Sequence, residues 1–402
     1  ARPRVALDPP QCRPARAFPP TRRLLFYLTC PPRMTPQAEV QLIAVVTAVA
    51  CALPGSFLVL RRSAMMSDAI SHAILPGIVV GFMLTASLSS PWLIAGAAAT
   101  GLLTVALVER IEQTGLVHED AAIGLVFPVL FSVGVVLLAR YAGDVHLDVD
   151  AVLLGELAFA PFDRFSIGAR DLGPRALWVM GTALLINAAF LALFYKELKL
   201  STFDAGLAAA FGFMPGVLHY ALMGLVSVTA VSAFDAVGSI LVVALMVAPP
   251  ATAYLLTDRL PRMIGLSAAL GVMYALVGYA VSAALDASIA GSMAAVAGLL
   301  FGLALVAAPQ RGVVAAWRRK RRHTARFSEQ LLAAYLSDPA TPPLPRGEAT
   351  QRLQQRFGWA PAHTREVVGR MCDRGMLAVK HEALVCTPSG EHLARAAGNQ
   401  RA

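Results

Sequence analysis

Charge is what this chain has least of. Only 15% of its 402 residues are Asp, Glu, Lys or Arg, against roughly 25% in ordinary soluble domains. That shortage argues against a water-soluble globule. Cysteine is also sparse. The five, at 12, 30, 51, 372 and 386, form no CxxC pair, so neither a disulfide framework nor a zinc cluster is indicated. The phosphate-cradling GxxxxGK[ST] pattern is missing and the dipeptide GK occurs nowhere. If ATP drives any process here, another polypeptide must bind it.

Apolar residues are what the chain has in excess, at 57%, and they are blocked into long runs. Uncharged stretches cover 40–60, 69–88, 91–108, 121–139, 176–195, 205–234, 236–257, 263–285 and 287–310. A bilayer core needs about 20 apolar residues per helix. Most of these runs suffice, which predicts an all-α polytopic membrane protein of about eight or nine spans. The count is open by one because 205–234 mixes a loop helix with a span.

Lys and Arg gather on the cytoplasmic side of short loops. Arg61 and Arg62 follow the first run, Arg110 the third, Lys196 and Lys199 the fifth, Arg259 and Arg262 the seventh, and "RGVVAAWRRKRR" the last. With nine spans these loops share one side, whereas "SLSSP" (87–91) and the turn at Asp286 on the other side carry no basic residue. The expected placement is a multi-pass cell (inner) membrane protein with its C-terminus in the cytoplasm. The tail 1–33 disagrees, since it holds seven arginines on what would be the outer side. It is a poor signal peptide, with no clear cleavage site. Met34 is the expected start, and 1–33 an Arg/Pro-rich segment, disordered or upstream of the native chain.

Composition changes again after the membrane part, 34–312. A basic linker is expected at 313–326 and a small α+β module at 327–398. There "FSEQLLAAYL" has helical spacing, "EATQRLQQRFGW" and "PAHTREVVGRMCDRGML" read as two helices joined at Gly358, and "LAVKHEALVCTPSG" as a two-stranded wing. Helix, helix–turn–helix and wing is the winged-helix order, and the segment resembles the modules of iron- and manganese-dependent repressors. DNA or partner contact would fall to Arg365, Arg370 and Arg374. The plainer reading is a module that packs on or modulates the membrane part, and DNA is the less favoured partner. The basic cluster 318–322 is equally explained by orientation or by anionic lipid.

Ionisable groups at membrane depth cost about 2.5–3.5 kcal/mol each on insertion scales and mark pathways. Asp68 and His72, in "MMSDAISHAILPG", share one helix face at i and i+4, and a borderline divalent cation accepts both ligand types. Pro76–Gly77 can kink that helix and free a carbonyl. The alternative is an aspartate at a helix start near the inner surface and a histidine bonded within the bundle. Met66 and Asp235 are further pathway candidates, although Asp235 also fits a solvated turn on the outer side. Asp144, His146, Asp148 and Asp150 alternate with apolar residues and in extended backbone would line one face, an outer acidic vestibule that concentrates cations. On the inner side, "KELKLSTFDAGLAAAFGFMP" (196–215) can form a short helix capped by Ser201 or Thr202, with Asp204 in its first turn and Gly212 and Pro215 at its end.

From about Pro36 to Gly312 the chain resembles the integral membrane permeases of metal-ion ABC transporters, which import manganese, zinc or iron. The likeness rests on four blocks in order: "GSFLVLRRSAMMSDAISHAILPGIVVGF", "EDAAIGLVF", "FYKELKLSTFDAGLAAAFG" and "AVGSILVVALMVAPPATAYLL". "DVHLDVDAVLLGELAF" and "SAFDAVGSILVVALMVAPPATAYLL" look most like the manganese type, some of which carry a winged-helix tail. The resemblance implies a transport subunit without enzymatic activity of its own, paired with a second permease subunit. It also implies a cytoplasmic ABC ATPase dimer and an extracytoplasmic metal-binding protein. Asp68 and His72 match the family's pair in the metal pathway, and the segment with Phe203, Asp204, Ala208 and Gly212 would couple to the ATPase. No cofactor is permanently bound; the divalent ion, Mn2+ favoured over Zn2+ or Fe2+, is cargo. The rivals are a gradient-driven secondary transporter, a membrane-tethered metal-responsive regulator, and import of siderophore or cobalamin, which the Asp–His pair does not support.

Overall fold

In a computed structural model of the chain, residues 35–85, 90–141, 157–167, 170–309, 311–338, 341, 344–380 and 383–392 are described. The tail 1–33 and the acidic stretch 143–156 lie outside them. Two compact units divide between Leu303 and Ala304.

The first unit begins with α1 (Pro36–Leu60), where the Thr35 hydroxyl accepts from the Ala38 N–H and Pro36 takes the first helical position. The next span is in two pieces, α2 (Met65–Ala73) and α3 (Leu75–Thr85), broken at Ile74. Pro76 has no N–H to offer the His72 carbonyl four residues back, so the helical ladder fails there. Then follow α4 (Pro91–Glu112) and α5 (Glu119–Tyr141). A hairpin of β1 (Arg164–Ile167) and β2 (Arg170–Pro174) pairs Ile167 with Arg170. After α6 (Arg175–Leu193) come the short α7 (Tyr195–Phe203) and α8 (Ala205–Ala210). Helices α9 (Pro215–Val237), α10 (Ser239–Leu256), α11 (Leu260–Leu285) and α12 (Ile289–Ala307) complete the unit.

Among the described residues nine segments are long and apolar enough to cross a membrane, with α2 and α3 together making the second. The mixed stretch 205–234 resolves into α8, a loop at Gly212, and the span α9. Loops after the odd-numbered spans therefore share one end, here termed the basic end because it carries Arg61, Arg62, Lys196, Lys199, Arg259 and Arg262. Side-chain bonds agree with this parity: Arg61, after the first span, reaches Ser201 and Thr202, after the fifth.

Helix α1 is the hub, packed against α6, α9, α10 and α11. Its Gly55 lies where an added Cβ would sit 2.0 Å from the Met246 carbonyl oxygen, so α1 and α10 touch backbone to backbone. Asn187 is fully buried, donating to the Ala50 carbonyl at 2.8 Å and exchanging bonds with the Thr229 hydroxyl. It ties α6, α1 and α9 together where apolar contact alone is no stronger than contact with lipid. Helices α3 and α4 cross at Gly77 and Gly96, each nearly against the other's carbonyl oxygen.

The second unit begins inside the last span. Helix α13 (Val313–Ser337) is continuous, so the linker expected at 313–326 is the first half of a helix that runs through "FSEQLLAAYL". No Gly or Pro interrupts 313–337, and helical spacing outweighs the dense positive charge. Beyond it lie β3 (Leu344–Pro345), α14 (Arg346–Phe357), α15 (Pro361–Asp373), β4 (Leu377–Lys380) and β5 (Ala383–Cys386). The antiparallel sheet is ordered β3-β5-β4. Gly358, at φ 67°, caps α14 in the left-handed region that glycine tolerates. Leu332, Leu353, Val367, Met371, Leu377 and Leu384 form the core.

Gly77→Ala would set a Cβ 2.2 Å from the Gly96 carbonyl oxygen and is expected to cost about 1–3 kcal/mol. A lowered Tm of the detergent-solubilised chain checks this, and an unchanged Tm would mean that α3 and α4 do not pack so closely.

Candidate functional site

Asp68 and His72 lie on one face of α2, with His72 Nε2 3.5 Å from Asp68 Oδ1. Their side chains are 41% and 36% exposed within this chain, so the pair is open to a solute or a second subunit. The imidazole also meets Phe127 of α5, ring centroids 5.8 Å apart. A helix break at Ile74 follows the pair, and a second proline, Pro128, lies within the neighbouring α5. Pro76 frees the carbonyl of His72 itself, and Pro128 in α5 offers no N–H to the carbonyl of Gly124. Carboxylate, imidazole and uncommitted carbonyl oxygen is a donor set for a borderline divalent cation. Among the described residues no cluster of three or more His, Cys, Asp or Glu side chains forms around the pair or elsewhere.

The other two pathway candidates sit elsewhere. Met66, two residues from Asp68 and so on another face of α2, is buried and lines a cavity at the basic end. Asp235 is exposed in the last turn of α9, before Gly238 opens the chain at φ 81°. It stands at the end opposite the start of α2.

The cavity at the basic end, about 470 Å3, contains a network that the sequence did not announce. Arg61, at the C-cap of α1, donates from Nε to Thr202 Oγ1 at 3.2 Å and from Nη2 to Ser201 Oγ at 3.0 Å. Its Nη1 lies 3.0 Å from Nδ1 of His219 on α9, and His219 Nε2 abuts Glu109 of α4. Burial pushes the Arg61 guanidinium below its ordinary value, yet an arginine keeps its charge at neutral pH. The only sequence signal was an orientation signal, Arg61 read as an inside-facing charge. His219 was hidden inside an apolar run.

The expected coupling segment takes a different local form. Ser201 and Thr202 are inside α7, and Asp204 itself is the N-cap of α8, accepting from the Leu207 N–H at 2.8 Å. A short carboxylate at that position satisfies an orphan donor more directly than a hydroxyl two residues earlier. Gly212 (φ 82°) does end the segment, but Pro215 opens α9. Phe203, Leu207 and Phe211, four residues apart, are exposed, whereas Ala208 is fully buried against the bundle. Leu198 anchors α7 in a cluster with Phe57, Leu191, Leu222 and Leu260.

At the opposite end, Glu39 in the first turn of α1 is 8% exposed and receives both Nη groups of Arg164 at 3.3 Å. Arg164 Nε also meets Asp171 Oδ2 at 2.7 Å. The bond to Asp171, with Glu39 behind it, raises the guanidinium above its ordinary value. The hairpin is thus clamped to the first span, which no local sequence signal revealed. The vestibule candidates Asp144, His146, Asp148 and Asp150 lie outside the described residues.

In the second unit, the three candidate arginines do not form one row. Arg374 Nη1 bonds Glu329 Oε2 at 2.9 Å, and Arg370 Nε lies 3.5 Å from Oε1 of the same buried carboxylate. Arg365 points elsewhere, its Nε donating at 3.4 Å to the Pro361 carbonyl of its own helix.

Residues 37–308 match the model of the ABC 3 transport family. The zinc transport system membrane protein TroD of Treponema pallidum is 45% identical over 359 residues, 89% of this chain and 98% of TroD. That alignment is longer than the family match, so it extends beyond the membrane part. The manganese transport system membrane protein MntD of Bacillus subtilis is 44% identical over 281 residues, 70% of this chain and 95% of MntD. Among solved structures, PsaBC from Streptococcus pneumoniae in complex with Fab aligns at TM-score 0.57 and 26% identity, covering 72% of this chain and 97% of that one.

Arg164→Ala leaves the buried Glu39 carboxylate without its partner and is expected to destabilise the chain by about 1–3 kcal/mol. Adding Glu39→Gln should restore part of that loss, because it removes the uncompensated charge. Thermal unfolding of the three proteins in detergent checks the pairing; no recovery in the double variant counts against it.

Proposed function

This chain belongs to the ABC 3 transport family, and from that premise we propose how it works as the permease subunit of an ATP-driven importer of manganese or zinc ions. Manganese is the favoured cargo. The chain is a transport subunit; a cytoplasmic ABC ATPase dimer supplies energy, and a second permease subunit and an extracytoplasmic metal-binding protein complete the assembly. The basic end faces the cytoplasm of a cell whose inner membrane the nine spans cross, in keeping with the distribution of Lys and Arg.

Asp68 and His72 carry the reading. A dehydrating cation released at the opposite end, near 143–156 and 286–291, passes into the bundle and meets the carboxylate and the imidazole on α2. The carbonyl that Pro76 leaves free on His72 adds a hard oxygen. Two side-chain ligands hold the ion weakly, which suits a carrier that must release it. The partner permease completes the coordination sphere. Met66, lining the cavity at the basic end, stands on the exit route, and Asp235 stands at the entrance.

Coupling runs through Arg61. The exposed row Phe203, Leu207 and Phe211 is the surface on which the ATPase docks, and α7 next to it is bonded to Arg61 through Ser201 and Thr202. Arg61 in turn lies four residues before Met65, the start of the metal-bearing helix. A displacement of α7 is therefore delivered to α2 through a rigid guanidinium fork. The second unit is a cytoplasmic winged-helix module, supported by its order of helix, strand, two helices and two strands. It modulates transport; its pairing of Arg370 and Arg374 with Glu329 leaves Arg365 alone for a nucleic acid.

Asp68→Ala and His72→Ala are each expected to lower Mn2+ uptake by roughly 10–100-fold in a deletion strain, with the ATPase still co-purifying. Normal uptake by both variants would reject the ligand assignment. Arg61→Ala should preserve ATP hydrolysis while abolishing its link to uptake, and Arg61→Lys should not rescue it, since an ammonium lacks the fork. Coupled transport by Arg61→Ala rejects the relay. Metal flux from this chain alone in liposomes would favour a gradient-driven carrier instead.

A further inference from the structure

The second unit contains a cavity of about 890 Å3 between α13 and α15 that the transport cycle does not use. Five cations line it: Lys320, Arg321, Arg326, Arg370 and Arg374. Against them stand two carboxylates, Glu329 and Glu366. Both are already engaged. Glu329, 5% exposed, takes Arg374 at 2.9 Å and Arg370 at 3.5 Å, and Glu366 takes Arg370 Nη1 at 3.5 Å. Among the described residues Lys320, Arg321 and Arg326 have no carboxylate within ion-pair distance. Arg321 rests on the face of Trp317, 3.5 Å from the ring centroid, which holds its guanidinium fork in place. Trp317, Arg321, Thr324 and Ser328 follow one stripe of α13. Ser328 in turn bonds His363 of α15 at 3.0 Å, which braces the wall.

We propose that this cavity is a binding site for a phosphorylated anion. The uncompensated charge excludes a metal cation and calls for a multivalent oxyanion. Arg321, held flat by its stack, can present two parallel N–H donors, the geometry that phosphate oxygens accept best. Lys320 and Arg326 add point charge on the same wall, and the Thr324 hydroxyl a neutral donor. The volume falls in the range of sites for whole small molecules, about 300–1,000 Å3, so the phosphate is borne on a larger body. A phospholipid headgroup and a soluble phosphate ester share this chemistry. The stretch Val313, Val314 and Trp317, exposed and apolar at the head of α13, is of the kind that lies in a membrane interface beside such headgroups. A ligand bridging α13 and α15 would give this unit a signal to respond to, independent of the metal.

Hydrogen exchange on the full chain tests this in two arms. In phosphatidylcholine nanodiscs, inorganic phosphate is compared with chloride at matched ionic strength. In the other arm, phosphatidylglycerol nanodiscs are compared with phosphatidylcholine nanodiscs without phosphate. Amides of 317–329 and 361–374 should exchange roughly tenfold more slowly once the anion exceeds its Kd by about that factor. Protection in the first arm identifies a soluble ester, and protection in the second alone a headgroup. Lys320→Gln with Arg326→Gln should erase the protection without changing exchange in its absence, because neither side chain holds α13 to α15. Should the pair of changes loosen the unit, Arg326→Gln alone serves, with protection reduced. No protection in either arm, or protection that survives these variants, would overturn the proposal.

Discussion

A charge or a bare peptide group inside a bilayer has no water to fall back on, and most of what is distinctive in this molecule answers to that constraint. Three settings of ionisable groups in the membrane unit illustrate it. Glu39 sits at the lip of a span and is matched by a bidentate arginine. Arg61 sits at the other lip, where the side chains of Ser201, Thr202 and His219 share in its satisfaction. Asp68 and His72 sit on α2, directly before the break at Ile74, facing a place that another molecule can enter. The first two settings hold the fold in register. The third keeps both side chains partly exposed within one copy of the chain, in keeping with the transient cation site proposed for it.

The same constraint shapes the basic end. Polar atoms at the basic end are satisfied by reaching across elements, so α1, α7, α9 and α4 are joined through one guanidinium and one imidazole. A short segment at the basic end, α7, is thereby bonded to Arg61 at the end of α1, four residues before α2 begins. Elsewhere in the bundle, helices touch backbone to backbone at Gly55 and at the Gly77–Gly96 crossing, which leaves little room for local adjustment there. The second unit follows different physics. Beyond the last span it is built on a small apolar core around Leu353 and Met371, and five of its cations line one cavity.

Signals that are local in sequence were legible. Long uncharged runs delimited the spans, the break after His72 was foreshadowed by Pro76–Gly77, and Gly358 marked the turn between α14 and α15. Where two signals competed, the reading slipped by a turn. Ser201 and Thr202 were natural caps by residue type, but Asp204 two residues later took that role, since its carboxylate reaches the Leu207 N–H. The basic run 313–326 looked like a tether, yet helical propensity without a Gly or Pro carried it into α13. Grouping Arg365, Arg370 and Arg374 by charge ignored their angular spread, which turns two of them toward Glu329 and one away.

By itself the sequence determined that the chain can cross a membrane eight or nine times, which loops carry positive charge, and that an aspartate and a histidine stand one helical turn apart on the second span. Each depends on hydropathy, on counting, or on the 3.6-residue period, none of which requires knowing a distant neighbour. Only the tertiary structure decided that Arg61 meets Ser201, Thr202 and His219, that Arg164 closes on Glu39, and that α13 and α15 enclose a basic cavity. Those partners are separated by between 35 and 158 positions. Which of the many distant polar residues come together is fixed by how the helices pack, because a side chain withdrawn from water takes whatever partner packing brings within reach.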